Sequence, residues 1–249
     1  MAKSKILGVV GGMGPLASAE FVKTIYEYSL GGQEQDSPVV LMNSDPTFPD
    51  RTQSLLKGES EPLLSKLIEA LNCLRELGAS KMVICCITIH YLLPKLPAEL
   101  RSRIISLIDV ILEQVAKDRR KRLLISTVGA RKLGIYERHA RWNEVKDRIV
   151  LPDEKDQNLI HNEIIYQVKR NRDIICLAPI LESLLLKYDL DSFIAGCTEI
   201  HLFSKYLISS GNEAHLGCID PLITIAKELA QGRNSIETEG DIILTTAKM

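Results

Sequence analysis

Val83-Ile84-Cys85-Cys86-Ile87-Thr88-Ile89-His90-Tyr91-Leu92 has a counterpart further along the chain, Phe193-Ile194-Ala195-Gly196-Cys197-Thr198-Glu199-Ile200-His201-Leu202. Aligning Cys86 with Cys197 also aligns Ile89 with Ile200 and His90 with His201, at a constant offset of 111 residues. In each segment an apolar run leads into the cysteine and a helix-like stretch follows. The pattern predicts two half-molecules, each presenting one thiol at the carboxyl end of a strand, where ligands of parallel sheets bind.

Outward from these segments, short apolar runs alternate with longer amphipathic ones. Strands are expected at 6–10, 39–43, 82–86, 123–127, 192–196 and 216–219. Their continuous, β-branched apolar character suits strands covered on both faces. Helices are expected at 17–30, 63–77, 157–171, 174–188 and 222–231; the second has Leu63, Leu67, Leu71 and Leu74 at helical spacing and stops at Gly78. Such alternation means an α/β fold with mainly parallel sheets. Pro94-Lys95-Leu96-Pro97 breaks the chain after the first cysteine segment. The first domain is therefore expected over 1–97 with 210–249 returning to it, and the second over 98–209, with residues beyond Gly232 a loosely held polar tail.

The chain's 249 residues suffice for one large domain or two of about 120 each. A net charge of −1 gives no drive toward nucleic acid or an acidic membrane surface. No apolar run approaches the roughly 18 residues of a membrane span, and the N-terminal residues lack an export-type apolar core. The six cysteines sit mostly in apolar runs, as reduced thiols of a cytoplasmic protein would. No C-x₂-C or H-x₃-H spacing appears, so no metal site is expected.

The two matched cysteines carry the chemistry. A helix N-terminus beside each would favour the reactive thiolate, and Thr88 and Thr198 lie where first-turn donors can hold a carboxylate. A free cysteine is commonly a small buried hydrophobe, and Cys73, Cys85, Cys176 and Cys218 are read that way. His90 and His201, one helical turn beyond their cysteines, either polarise the thiols or are satisfied by backbone. The segment Gly8–Pro15 lacks G-x-G-x-x-G; it reads as a tight strand-to-helix turn whose bare backbone closes over a small ligand. Arg51 ends a proline-held loop and could grip a carboxylate bidentately. Lys169, near a basic helix end, could be only a dipole-favoured cation.

Together, Gly11-Gly12-Met13-Gly14-Pro15-Leu16-Ala17, Pro49-Asp50-Arg51-Thr52, Cys86-x-Thr88-x-His90 and Gly196-Cys197-Thr198-Glu199-Ile200 resemble the aspartate/glutamate racemase family that works without pyridoxal phosphate, over about residues 6–230. The resemblance implies two pseudo-symmetric α/β domains, a site in the cleft between them, a homodimer, no cofactor, and a small acidic amino acid, aspartate first, as substrate. It makes Cys86 and Cys197 the acid/base pair that removes the Cα proton from one face and returns one to the other. It makes Arg51 the holder of the side-chain carboxylate and Lys169 a second substrate-binding cation. Met13, Thr88 and Thr198 line the pocket, and Thr52 and Glu199, inside the same motifs, join the substrate-binding set. Three positions depart from the family pattern: Ile87 stands where Asn is usual, Ala130 where Thr is usual, and Leu133 where Ser is usual. Each removes a polar group near the α-amino or α-carboxylate end. Two alternatives therefore stay open: a related two-cysteine enzyme on another small dicarboxylate, of maleate isomerase or malonate decarboxylase type, and a non-catalytic amino-acid-binding protein.

Overall fold

The structure, a computed structural model, describes residues 6–30, 33–211 and 216–231. The first half runs β1 (Ile6–Gly11), α1 (Pro15–Ser29), β2 (Val39–Ser44), α2 (Arg51–Leu56), α3 (Glu61–Glu76), β3 (Ala79–Ile84), a 3₁₀ stretch (Thr88–Lys95), α4 (Ala98–Arg101), β4 (Ile104–Ile105) and α5 (Leu107–Ala116). The second runs β5 (Arg122–Ser126), α6 (Val128–Lys132), α7 (Trp142–Val145), β6 (Ile149–Val150), α8 (Glu154–Leu159), a π-helical turn (Ile160–Ile165), α9 (Tyr166–Lys169), α10 (Ile174–Lys187), β7 (Ser192–Gly196), α11 (Ile200–Ser209), β8 (Gly217–Ile219) and α12 (Pro221–Ala230).

Each half forms a four-stranded sheet, β2-β1-β3-β4 and β6-β5-β7-β8, in which every pair is parallel. The repeated order makes β3 and β7, the strands before the two cysteines, equivalent. Helices cover both faces because the central strands are apolar on both. In the second half Leu124 and Ile194 point into a core shared with the first half, whereas Leu123, Ile125, Phe193 and Ala195 point into a separate outer core. That division follows the two-residue period of a strand. The shared core joins the halves into one packed unit, and buried cross-links reinforce it. Thr88 Oγ1 lies 3.0 Å from Thr127 Oγ1, and Thr198 Oγ1 donates to the Cys85 carbonyl at 3.2 Å.

The strands divide differently from a boundary at residue 97. β4 pairs with β3, so the chain stays with the first sheet past the two prolines. β8 pairs with β7 in the second sheet, and α12 packs on α1 and α5 of the first half. A Pro pair ends a local helix, but sheet membership is decided by which strand edge receives the next hydrogen bonds. Of the expected returning segment, 212–215 and 232–249 lie outside the described residues. β4 and β6, two residues each, have no period to read and were not foreseen. β3 ends at Ile84, two residues before Cys86. The stretch after Cys86 is 3₁₀ rather than α, and it contains Pro94. The helix expected at 157–171 starts earlier, where Asp153 caps the Asp156 N–H at 2.8 Å, and contains the π turn. It ends at Lys169, shortly before Asn171 turns left-handed at φ 59.

The turn after β1 depends on glycine. Gly12 has φ 87, and a Cβ there would stand 2.3 Å from the Asp45 backbone. Gly58 has φ 79 but open space around it. Gly58→Ala should therefore cost only the dihedral strain, about 1–2 kcal/mol. Gly12→Ala must also push Asp45 away and should cost about twice that or more. Thermal unfolding of both variants checks this, and equal losses in Tm would show that the Asp45 contact does not hold the turn.

Candidate active site

The candidate site is built where strand ends of both halves meet. The turn after β1 buries the Met13 side chain in the shared core and leaves its carbonyl oxygen as an acceptor. Arg51 Nη2 donates to that oxygen at 2.9 Å and Lys169 Nζ at 3.2 Å. One backbone carbonyl thus gathers two cations from opposite halves. Arg51 is the first residue of α2, and its Nη1 also donates to the carbonyls of Pro49 at 3.2 Å and Phe48 at 3.4 Å. Asp50 caps that helix, accepting from the Gln53 N–H at 2.8 Å, and its other oxygen accepts from the Tyr166 hydroxyl of the second half at 2.7 Å. Thr52 packs closely on α6: a Cβ on Gly129 would lie 2.6 Å from Thr52 Oγ1.

Cys197 follows β7 directly, and its thiol donates to Glu199 Oε2 at 2.8 Å. Glu199 is only 2% exposed. Its Oε1 faces Lys169 Nζ at 2.9 Å without hydrogen-bond alignment, so the contact is ionic and this oxygen has no aligned donor. The same oxygen abuts Gly14, where a Cβ would stand 2.2 Å away. The bare turn after β1 therefore closes on a carboxylate of the other half.

Charges in the cleft are interlocked. Burial works against the Arg51 charge, but Cys86, Asp50 and Glu199 together hold its pKa above the ordinary value. Burial likewise opposes the Lys169 charge; Glu199, then Cys197, with a smaller part from Cys86, hold it above the usual lysine range despite Arg51. Both sulfurs thus lie near the same ammonium group. Burial first, and the Glu199 charge second, push the Cys197 thiol well up. The helix N-terminus expected to favour a thiolate there is outweighed, because a whole carboxylate charge sits at the N-cap of α11 against a partial helix charge of about one half. Burial also pushes the Cys85 thiol up, which keeps it a neutral core side chain.

His90 is satisfied by backbone as one alternative had it, whereas His201 is held by the side chains of Asp220 and Thr24. The Leu107 N–H donates to His90 Nε2 at 3.2 Å, so Nδ1 carries the proton and donates to the Cys86 carbonyl at 2.9 Å. Burial lowers the His90 pKa to about 4, and the ring holds the Cys86 backbone as a neutral group. His201, fully buried, lies 2.8 Å from Asp220 and 3.0 Å from Thr24. Ile87, Ala130 and Leu133, where polar residues were missing, are buried in the shared core. Cys73 and Cys176 are exposed, not core, and Cys218 lies against Ser204 at 3.3 Å.

The structure thus brings Met13, Arg51, Lys169, Cys197 and Glu199 together, with Cys86 acting on the same cations. Thr88 and Thr198 lie in the buried seam between the halves. Thr127, Tyr166 and His161 went unread in the sequence. Thr127 occupies the strand end after β5, a position the internal repeat could have flagged; the other two had no such signal.

Two parallel four-stranded sheets of identical strand order, with a cysteine just past the same strand end in each, define an α/β protein of two repeated halves whose candidate site lies between them. The sequence profile of the Asp/Glu/hydantoin racemases matches residues 10–229, and the chain belongs to that family. The fold is similar to that of Picrophilus torridus aspartate racemase, with a TM-score of 0.77 at 23% identity over 92% of this chain and 94% of that one. An aspartate racemase homologue from Pyrococcus horikoshii aligns with a TM-score of 0.65 at 19% identity, over 92% and 99% of the two chains. Glutamate racemase from Francisella tularensis, in complex with D-glutamate, aligns with a TM-score of 0.58 at 15% identity, over 96% and 85%. Among the described residues no helix is long and apolar enough to cross a membrane.

Removing the Glu199 charge should make the Cys197 thiol easier to ionise. In the parent protein, alkylation of Cys197 should rise only at pH values above the ordinary thiol range. In Glu199→Gln the rise should move to lower pH. Site-resolved mass spectrometry after iodoacetamide pulses measures this, and an unchanged profile would mean that burial alone sets the Cys197 thiol.

Proposed function

We propose that this protein racemises a free acidic amino acid, aspartate first, by proton transfer between Cys86 and Cys197 without a cofactor. The observation that carries the reading is the pairing of unlike surroundings at equivalent strand ends. Cys86 lies beside the Arg51 guanidinium, and Cys197 donates to the Glu199 carboxylate. Cys86 has a cation beside it and Cys197 already donates to a carboxylate, so in this reading Cys86 acts as the base and Cys197 as the acid. The Cys86 thiolate takes the Cα proton, and the electron pair left on Cα passes into the α-carboxylate. The Cys197 thiol gives its proton to the opposite face, so the enzyme ends with the two protonation states exchanged. The reverse substrate restores them.

Without a cofactor the carbanion relies on fixed charge and donors around the α-carboxylate. A dicarboxylic amino acid carries two negative charges and one positive. The cleft supplies Arg51 and Lys169 for the carboxylates and the unaligned Oε1 of Glu199 for the ammonium group. A buried carboxylate in the site favours an amino acid over maleate or a malonate, which lack the amine. Glutamate differs from aspartate by one methylene, a difference worth about 1–3 kcal/mol in a closed pocket. As in the family it resembles, the enzyme would work as a cytoplasmic homodimer.

Cys86→Ala and Cys197→Ala should each abolish interconversion of L- and D-aspartate, by about 10³-fold or more, without loss of fold. Arg51→Leu should raise KM for aspartate far more than for alanine. Incubating L-Asp, L-Glu and L-Ala separately in D₂O, with NMR of deuterium uptake at Cα, checks both. Full interconversion of the enantiomers in either cysteine variant ends the two-base scheme, and fumarate formed from maleate would point to the dicarboxylate alternative.

A further inference from the structure

The segment α8–π turn–α9 lies over the strand ends of the second half, and four of its side chains bond to elements of the cleft. Gln157 Nε2 donates to the Ser126 carbonyl at 2.7 Å, and His161 Nδ1 accepts from the Val128 N–H at 3.3 Å. Tyr166 donates to Asp50 at 2.7 Å, and Lys169 to the Met13 carbonyl at 3.2 Å. In an uninterrupted α-helix, position 165 would follow 157 and 161 on this face, and 166 would turn away from it. The π turn absorbs one residue. It leaves Ile164 and Ile165 in the outer core and brings Tyr166 under His161, with ring centroids 4.6 Å apart. Lys169 follows on the same face.

His161 is thereby set between both halves, with its protonation pattern determined. Val128 N–H donation leaves Nδ1 without a proton, so the neutral ring carries its hydrogen on Nε2. Burial, with a smaller push from Lys169, lowers its pKa against the pull of Asp50, which favours that neutral form. Nε2 has no hydrogen-bond partner among the described residues. The ring borders the Tyr166–Asp50 bridge, and Asp50 precedes Arg51. Val128 opens α6, whose Gly129 touches Thr52 across the cleft.

We propose that His161 is a further substrate-binding residue, its Nε2–H a fixed neutral donor to a carboxylate of the ligand that Arg51 and Lys169 hold. The inference rests on the acidic-amino-acid reading above and adds to it a source of preference for dicarboxylic ligands. A neutral donor strengthens binding without adding a third cation to a site that already crowds two. The π turn is the device that puts this donor, Tyr166 and Lys169 on one face.

Succinate, which has no stereocentre, tests binding apart from racemisation. His161→Phe keeps a ring against Tyr166 but has no donor; His161→Gln keeps an N–H. By NMR titration, His161→Phe should bind succinate about tenfold more weakly, the effect of one lost hydrogen bond. Binding of propionate should be unchanged, and His161→Gln should recover much of the loss. KM for aspartate should rise with it while kcat changes little. In the parent protein, ¹⁵N spectra of the histidine rings should show His161 protonated on Nε2 and shifted by succinate, a measurement that needs no variant to fold. Parental succinate affinity in His161→Phe, a fall in kcat and Tm with KM unchanged, or a ring protonated on Nδ1 would each overturn the proposal. A parent protein that neither binds succinate nor converts aspartate would sink the racemase reading itself, and this inference with it.

Discussion

Arg51 and Lys169 come from different halves of the chain, and both donate to the carbonyl oxygen of Met13. Two like charges this close repel by several kcal/mol at the effective dielectric of a partly buried site. The arrangement holds because negative groups surround it: the Met13 carbonyl dipole, Glu199 against Lys169, and Asp50 next to Arg51. The carbonyl can stand there only because the turn that carries it is nearly bare. Gly12 adopts φ 87 against the Asp45 backbone, and Gly14 leaves room for Glu199 Oε1. Two cations and two carboxylates thus meet around one backbone carbonyl at the junction of the two halves.

The fold is symmetric and the site is not. β3 and β7 occupy the same place in their sheets and each leads to a cysteine, yet one thiol is next to a guanidinium and the other donates to a carboxylate. Two repeats of one architecture bring the cysteines to equivalent strand ends, and Arg51 from α2 and Glu199, two positions after Cys197, give them unlike charged neighbours. The shared core, which takes Leu124 and Ile194 of the second sheet together with Val9 and Ile84 of the first, keeps the halves in register.

Much of this was legible along the chain. The continuous apolar runs around Val9, Val83, Ile125 and Ile194 gave away the central strands, because strands buried on both faces need no partner to be recognised. The leucine spacing in α3 and the stop at Gly78 were equally plain. The edge strands β4 and β6 were not, since two residues carry no period, and their membership depends on hydrogen bonds to a neighbour distant in sequence. The π turn hid for a related reason: one extra residue in a helix changes which face a side chain occupies without changing the composition of the segment.

The sequence by itself determined the α/β class, the repeated halves, the matched positions of Cys86 and Cys197 in them and the family, because each is written in local period, spacing or motif. Only the tertiary structure decided which groups are neighbours. It sent His201 to Asp220 and Thr24, aimed Glu199 at Cys197 and Lys169, gave one carbonyl to two cations, and placed His161 against Val128. Those contacts join residues as far apart as 177 positions in the chain. Electrostatic environment is a property of distance in space, and in a folded chain that distance is set by how the cores pack.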